Sequence, residues 1–113
     1  VSKNKKIQDG TITYGGIRRV AFERYGKKFL KLVGTAYDDR SFGDSFGHAL
    51  VCQGMVEANL DPVVQPYDVA PIKICVEEAG GIFTDIKGHK TIYGGTGLSS
   101  NGLVHSQVLK TTR

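Results

Sequence analysis

Asp61-Pro62-Val63-Val64-Gln65-Pro66-Tyr67-Asp68-Val69-Ala70-Pro71-Ile72-Lys73-Ile74-Cys75-Val76-Glu77-Glu78-Ala79-Gly80-Gly81-Ile82-Phe83-Thr84-Asp85 is the stretch that decides the fold. Asp61 ends an alternating run, a proline-bounded loop follows, and Asp68 opens a segment whose apolar positions Ile72, Val76 and Ala79 recur at helical spacing. An aspartate at a helix start accepts free backbone N–H groups, and Pro71 is expected in the first turn, where no i−4 bond is lost. Gly80-Gly81 supplies a left-handed residue to end the helix, and Ile82 to Ile86 reads as a strand turned by Lys87-Gly88. Strand, helix and strand in succession point to a layered α/β sheet.

The flanking sequence repeats this alternation. Thr11 to Tyr14, bounded by Gly10 and Gly15-Gly16, is a β-branched and aromatic run suited to a strand. Apolar residues from Ile17 to Val33 keep helical period on either side of Gly26, which divides two short helices. Tyr37 to Phe42 reads as a short strand. Asp44 is placed to cap a helix reaching about Met55, and Val56 to Asp61 alternates as a strand. After a Gly94 to Gly97 loop come a strand near Leu98 to Ser100 and a last helix that Asn101 caps, carrying Leu103, Val104, Val108 and Leu109. The expected architecture is a single α/β domain over residues 1–113, a mixed and largely parallel sheet flanked by helices.

Composition narrows the function classes. Ten of the fifteen Lys/Arg fall in residues 1–40 against four acids, but they interleave with apolar residues at helical spacing, as on a solvated helix face. Without aromatic interleaving or a recognition motif, nucleic-acid binding is not expected. No apolar run approaches the roughly 18 residues that span a bilayer, and the start resembles no signal peptide, so no membrane association and a cytoplasmic location are expected. The absence of an initiator Met and the abrupt polar start suggest a fragment. Cys52 and Cys75 read as buried small hydrophobes, and His48, His89 and His105, which lack metal-ligand spacing, as surface or locally bonded residues. The Gly94-Gly95-Thr96-Gly97 loop lacks the Lys-Ser/Thr ending of a phosphate loop, and no Gly-x-Ser-x-Gly elbow occurs.

Open α/β sheets gather ligands where strand ends meet helix N-termini. Two such junctions are Gly43-Asp44-Ser45 and Pro66-Tyr67-Asp68, and Asp61 ends a strand seven residues before Asp68. Asp44 and Asp68 each read either as a helix cap or as a ligand-binding carboxylate. Mg²⁺ takes one or two protein carboxylates with waters and substrate oxygens, so spacing does not choose between the two.

The succession Arg40-Ser41-Phe42-Gly43-Asp44, Gly54-Met55-Val56-Glu57-Ala58, Pro66-Tyr67-Asp68-Val69-Ala70, Glu77-Glu78-Ala79-Gly80-Gly81 to Asp85, and Ser100-Asn101-Gly102 resembles the C-terminal half of the inositol monophosphatase family. The resemblance implies the C-terminal subdomain of a layered αβαβα sugar-phosphatase fold, with the N-terminal metal-binding half absent. It implies that Asp68 binds a catalytic Mg²⁺, with Tyr67 in place of the usual Trp. It further implies that Asp61 contacts the substrate's polar part, and that Arg40 lies near the substrate region. Gly43-Asp44, where inositol phosphatases carry Gly-Ser or Gly-Thr, is similar to the histidinol-phosphatase branch, as is Gln8 to Gly16. A carboxylate at Asp44, beside Ser45, suits a substrate ammonium better than a hydroxyl. The family's metal-binding Glu and Asp-Pro-Ile/Leu-Asp-Gly-Thr motif do not appear, so no catalytic base is expected in this chain, and the chain alone is expected to be inactive. For the intact protein the resemblance implies a Mg²⁺-dependent phosphatase acting on a small phosphorylated substrate, as a homodimer. The alternatives are an inositol-1-phosphate or other sugar-phosphate phosphatase of the same family and a non-catalytic interaction module that keeps the fold.

Overall fold

Residues 1–113 are described by a computed structural model. Five strands, β1 (Thr11–Tyr14), β2 (Asp38–Ser41), β3 (Ala58–Asp61), β4 (Ile82–Thr84) and β5 (Gly97–Ser100), form one sheet in the order β2-β1-β3-β5-β4. β1 pairs in parallel with β2 and β3, and β5 pairs antiparallel with β3 and β4. Four strands therefore point one way and β5 alone runs back. The carboxyl ends of β1 to β4 share one edge, and the loops that leave it converge there.

The helices α1 (Ile17–Phe22), α2 (Gly26–Val33), α3 (Phe46–Cys52), α4 (Pro66–Glu78) and α5 (His105–Leu109) cover the two faces. On one face Val20, Phe29 and Val108 of α1, α2 and α5 close over Ile12, Tyr14, Ala58, Leu60 and Leu98. Phe29 meets Tyr14 edge to face at 6.1 Å, and its complete burial is worth roughly 1.5–3 kcal/mol. On the other face Val69, Ile72 and Val76 of α4 pack on Phe83, and α3 lies beside α4.

The alternation in β3 separates two buried environments, not core from solvent. Ala58 and Leu60 join the apolar face, whereas Asn59, paired across the sheet with Thr13 and Ser99, belongs to a polar row beneath α3. Thr13, Asn59 and Ser99 are all buried, and Thr13 Oγ1 donates to Asn59 Oδ1 at 2.6 Å. Gly47 lets α3 press onto this row: a Cβ there would lie 2.0 Å from Asn59 Oδ1.

Several element boundaries depart from the sequence expectation. β3 begins at Ala58, because Glu57 turns inward and its Oε1 accepts the Thr11 N–H at 2.6 Å. β4 stops at Thr84, because Asp85 Oδ1 accepts the N–H groups of Lys87 and His89, each at 2.9 Å, and folds the chain into a turn. α4 starts at Pro66, where a missing N–H costs nothing, and Pro71 falls in the second turn, so the Tyr67 carbonyl loses its helical partner. Gly80, with φ of 92°, ends α4 as expected. Cys75 and Leu103 are exposed, not buried.

Candidate active site

The carboxyl edge of the sheet holds a cleft of about 170 Å³ lined by Asp44, Ser45, His48, Asp61, Val63, Val64, Asp68 and Val69. Four of the five sequence-selected residues thus meet in one place. Arg40 does not line it: its guanidinium, on the outer strand β2, bonds Asp38 Oδ1 at 2.6 Å and the Asp39 carbonyl at 2.7 Å.

Each carboxylate reaches the cleft by a different local device. Asp61 is the last residue of β3, and Gly15 makes room for it, since a Cβ on Gly15 would lie 2.2 Å from Asp61 Oδ1. Asp68 is the third residue of α4, not its cap. Its Oδ2 accepts the Gln65 N–H at 2.9 Å, while Oδ1 takes no protein hydrogen bond. Asp44 caps nothing. It sits in the loop before α3 with φ of 55°, a left-handed conformation that Asp tolerates better than most non-glycine residues, and Ser45 takes the N-cap position without a side-chain bond.

His48 carries a signal that its spacing did not give. It is buried, with Nε2 2.8 Å from Asp61 Oδ2 and Nδ1 2.6 Å from Ser99 Oγ. His105 is buried and hydrogen-bonded as well, so for both the surface alternative is corrected; His89 alone is exposed. The available clue was that His48 lies three residues before Val51, on the inward face of α3. Ser99, His48 and Asp61 form a Ser-His-Asp chain in composition, but Ser99 is completely buried, so no substrate carbonyl reaches its Oγ and acyl transfer is excluded. Tyr14 is no base either: burial and its hydrogen bond to Asp39 raise it to about 12.

The cleft gathers three carboxylates and one histidine, and no Lys or Arg lines it. No group of three or more His, Cys, Asp or Glu is arranged to enclose a metal ion. The donor set is nevertheless hard oxygen, the type Mg²⁺ prefers, with one Asp68 oxygen unengaged. One or two such carboxylates are what the protein normally contributes to this ion, so the residues fit a partial site.

Fold and cleft together define an α/β protein whose acidic site opens at the carboxyl edge of its sheet. The model of the inositol monophosphatase family matches residues 1–113, and the chain belongs to that family. It is 30% identical over 109 residues to a histidinol-phosphatase of Mycobacterium tuberculosis, covering 96% of this chain and 42% of that protein. It is also 30% identical over 111 residues to a histidinol-phosphatase of Streptomyces coelicolor, covering 96% and 41%. Among solved structures, a Thermotoga maritima IMPase superimposes with a TM-score of 0.86 at 27% identity, over 99% of this chain and 43% of that one. The chain spans about two-fifths of the length of the curated relatives it matches. No helix is long and apolar enough to cross a membrane.

Proposed function

We propose that this chain is the substrate-recognition and second-metal part of a Mg²⁺-dependent phosphomonoesterase, and that the intact protein hydrolyses histidinol phosphate. The observation that carries the reading is the charge of the cleft: three carboxylates and no lining cation. A phosphate dianion meets only repulsion there, on the order of 4 kcal/mol per charge pair at 4 Å under an effective dielectric of about 20. It enters only with a hard cation between it and the protein, and a substrate whose other end is an ammonium gains where a neutral polyol does not.

Asp68 would hold the metal through its unengaged oxygen, and Asp44 and Asp61 would face the cationic end of the substrate. Ser45 would add a hydroxyl at the helix start, and Arg40 would flank the substrate region from β2. Bound Mg²⁺ supplies an activated water and charge stabilisation at the leaving oxygen. The remaining ligands and the water-orienting groups would belong to an N-terminal half outside this chain, so the 113 residues alone are expected to release no phosphate. The intact protein is proposed to be a homodimer, by resemblance to the family. A second reading, an inositol phosphatase, is favoured by the likeness to the Thermotoga maritima IMPase.

The test is phosphate release by the intact protein from histidinol phosphate and from inositol 1-phosphate, with Mg²⁺ and with a chelator. Faster Mg²⁺-dependent turnover of histidinol phosphate is expected. Preference for inositol 1-phosphate selects the second reading, and no metal-dependent release from either substrate sinks both.

A further inference from the structure

His48 and Asp61 come from different elements, and Ser99 from a third, yet the three are joined by two short bonds of 2.8 Å and 2.6 Å. The chemistry of Asp61 fixes the direction of one, and for the neutral ring the other follows. A carboxylate only accepts, so His48 Nε2 carries the proton that points to Asp61 Oδ2. In the neutral ring Nδ1 is then an acceptor, and it takes the hydroxyl proton of Ser99. His48 itself cannot wander: Gly47 seats α3 directly against Asn59, and the His48 ring lies 6.0 Å from that of Phe83. Asp61 is held from the other side by the notch at Gly15.

We propose that His48, its ring held between Ser99 and Asp61, is a positioning residue that presets the Asp61 carboxylate toward an ammonium-bearing phosphomonoester. The inference rests on the phosphatase reading above. It adds a residue and a cause for selectivity: Asp61 offers the cleft acceptor atoms in one orientation before substrate arrives. An ammonium placed against a fixed carboxylate forms a charge-assisted bond, about twice as strong as the neutral bond a hydroxyl would form. Ordering a free side chain at binding has an entropic cost, and the relay removes that cost in advance. The effect belongs to substrate binding. His48 and Ser99 are both buried, so the effect is expected in KM and not in the chemical step.

The experiment uses the full-length protein and the variants His48→Phe, His48→Gln and Ser99→Ala. Gln keeps a donor near the place of Nε2, and Phe keeps the volume without one. For His48→Phe the KM for histidinol phosphate is expected to rise about tenfold, the loss of roughly 1.4 kcal/mol, with kcat and the KM for inositol 1-phosphate nearly unchanged. His48→Gln should recover most of the rise. An equal fall in kcat on both substrates, with Gln no better than Phe, overturns the proposal. Should His48→Phe not fold, Ser99→Ala and the ¹⁵N shifts of the wild-type ring decide. A single Nε2–H tautomer in the wild type, with a KM raised for histidinol phosphate only in Ser99→Ala, is the expected result; an Nδ1–H or mixed tautomer in the wild type overturns it. A wild-type protein inactive on both substrates sinks the phosphatase reading instead, before any variant is made.

Discussion

Ser99 and Ser100 are neighbours on β5, and each meets a different buried histidine on a different face of the sheet. On the apolar face, Thr84 gives its hydroxyl proton to the Asp85 carbonyl at 2.7 Å, so its oxygen must accept from His105 Nε2 at 2.8 Å. His105 Nδ1 then accepts from Ser100 at 2.7 Å. Every partner is neutral, and burial, with Lys90 adding to it, pushes His105 down to about 4. On the other face, His48 has the same kind of serine on one nitrogen and the Asp61 carboxylate on the other, at the wall of the cleft. The imidazoles are alike in burial. What separates a fastening in the core from a part of the site is the charge of one partner and its distance from the sheet edge.

The contrast breaks most sharply at Asp68, the carboxylate that both closes a helix turn and faces the cleft. In the intact protein, Asp68→Asn keeps an oxygen for the Gln65 N–H but weakens a metal ligand. Activity is expected to fall at least about a hundredfold, with the melting temperature nearly unchanged. Loss of both together, by kinetics and calorimetry, would assign Asp68 to the helix alone. His105→Leu removes one hydrogen-bond partner from each of the buried Thr84 and Ser100 hydroxyls and should cost about 2–4 kcal/mol by urea unfolding, with no change in substrate preference. A change in preference would erase the distinction between the two histidines.

Acid sharpens it next. The unfolded His105 binds its proton near pH 6.5 and the folded one only near 4, so the unfolded state holds more protons in that window and stability falls as pH drops through it. The full loss is on the order of 3 kcal/mol, and this contribution is constant below pH 4. His105→Gln should flatten the pH 6.5 to 4 segment of the unfolding curve; an unaltered slope would place the acid sensitivity elsewhere. The smallest effect is at Asp44. Asp44→Gly relieves a left-handed non-glycine residue and is expected to stabilise by roughly 0.5–1 kcal/mol while lowering preference for histidinol phosphate over inositol 1-phosphate. An unchanged preference counts against the role of Asp44.

The strands and helices were largely legible, because β-branched runs and helical periods sit between glycines that terminate them, as Gly80 terminates α4. The acids at the edge were legible for the same reason: Asp61 ends a strand, and Asp44 and Asp68 lie at helix starts. What failed was tertiary. β3 alternates like a half-exposed strand, yet it is covered on both faces, and the residues opposite Asn59 come from β1 and β5. No local pattern carries that pairing. Nor does any local pattern bring His48 to Ser99 or turn Arg40 onto Asp38. Caps were misplaced where a side chain two or three residues away did the capping, as Asp68 does for Gln65.

The single reversed strand also orders the molecule in time. β5 lies between β3 and β4, yet it is the last of the five to be synthesised, and Ser99 follows His48 by 51 residues. A nascent chain complete through β4 still carries an open β3 edge, with N–H and C=O groups awaiting a partner. Closing that gap is a slow, long-range step. His48 therefore gains its Ser99 partner only when β5 docks, and a product cut short before Gly97 would be left with a sticky margin beside the cleft.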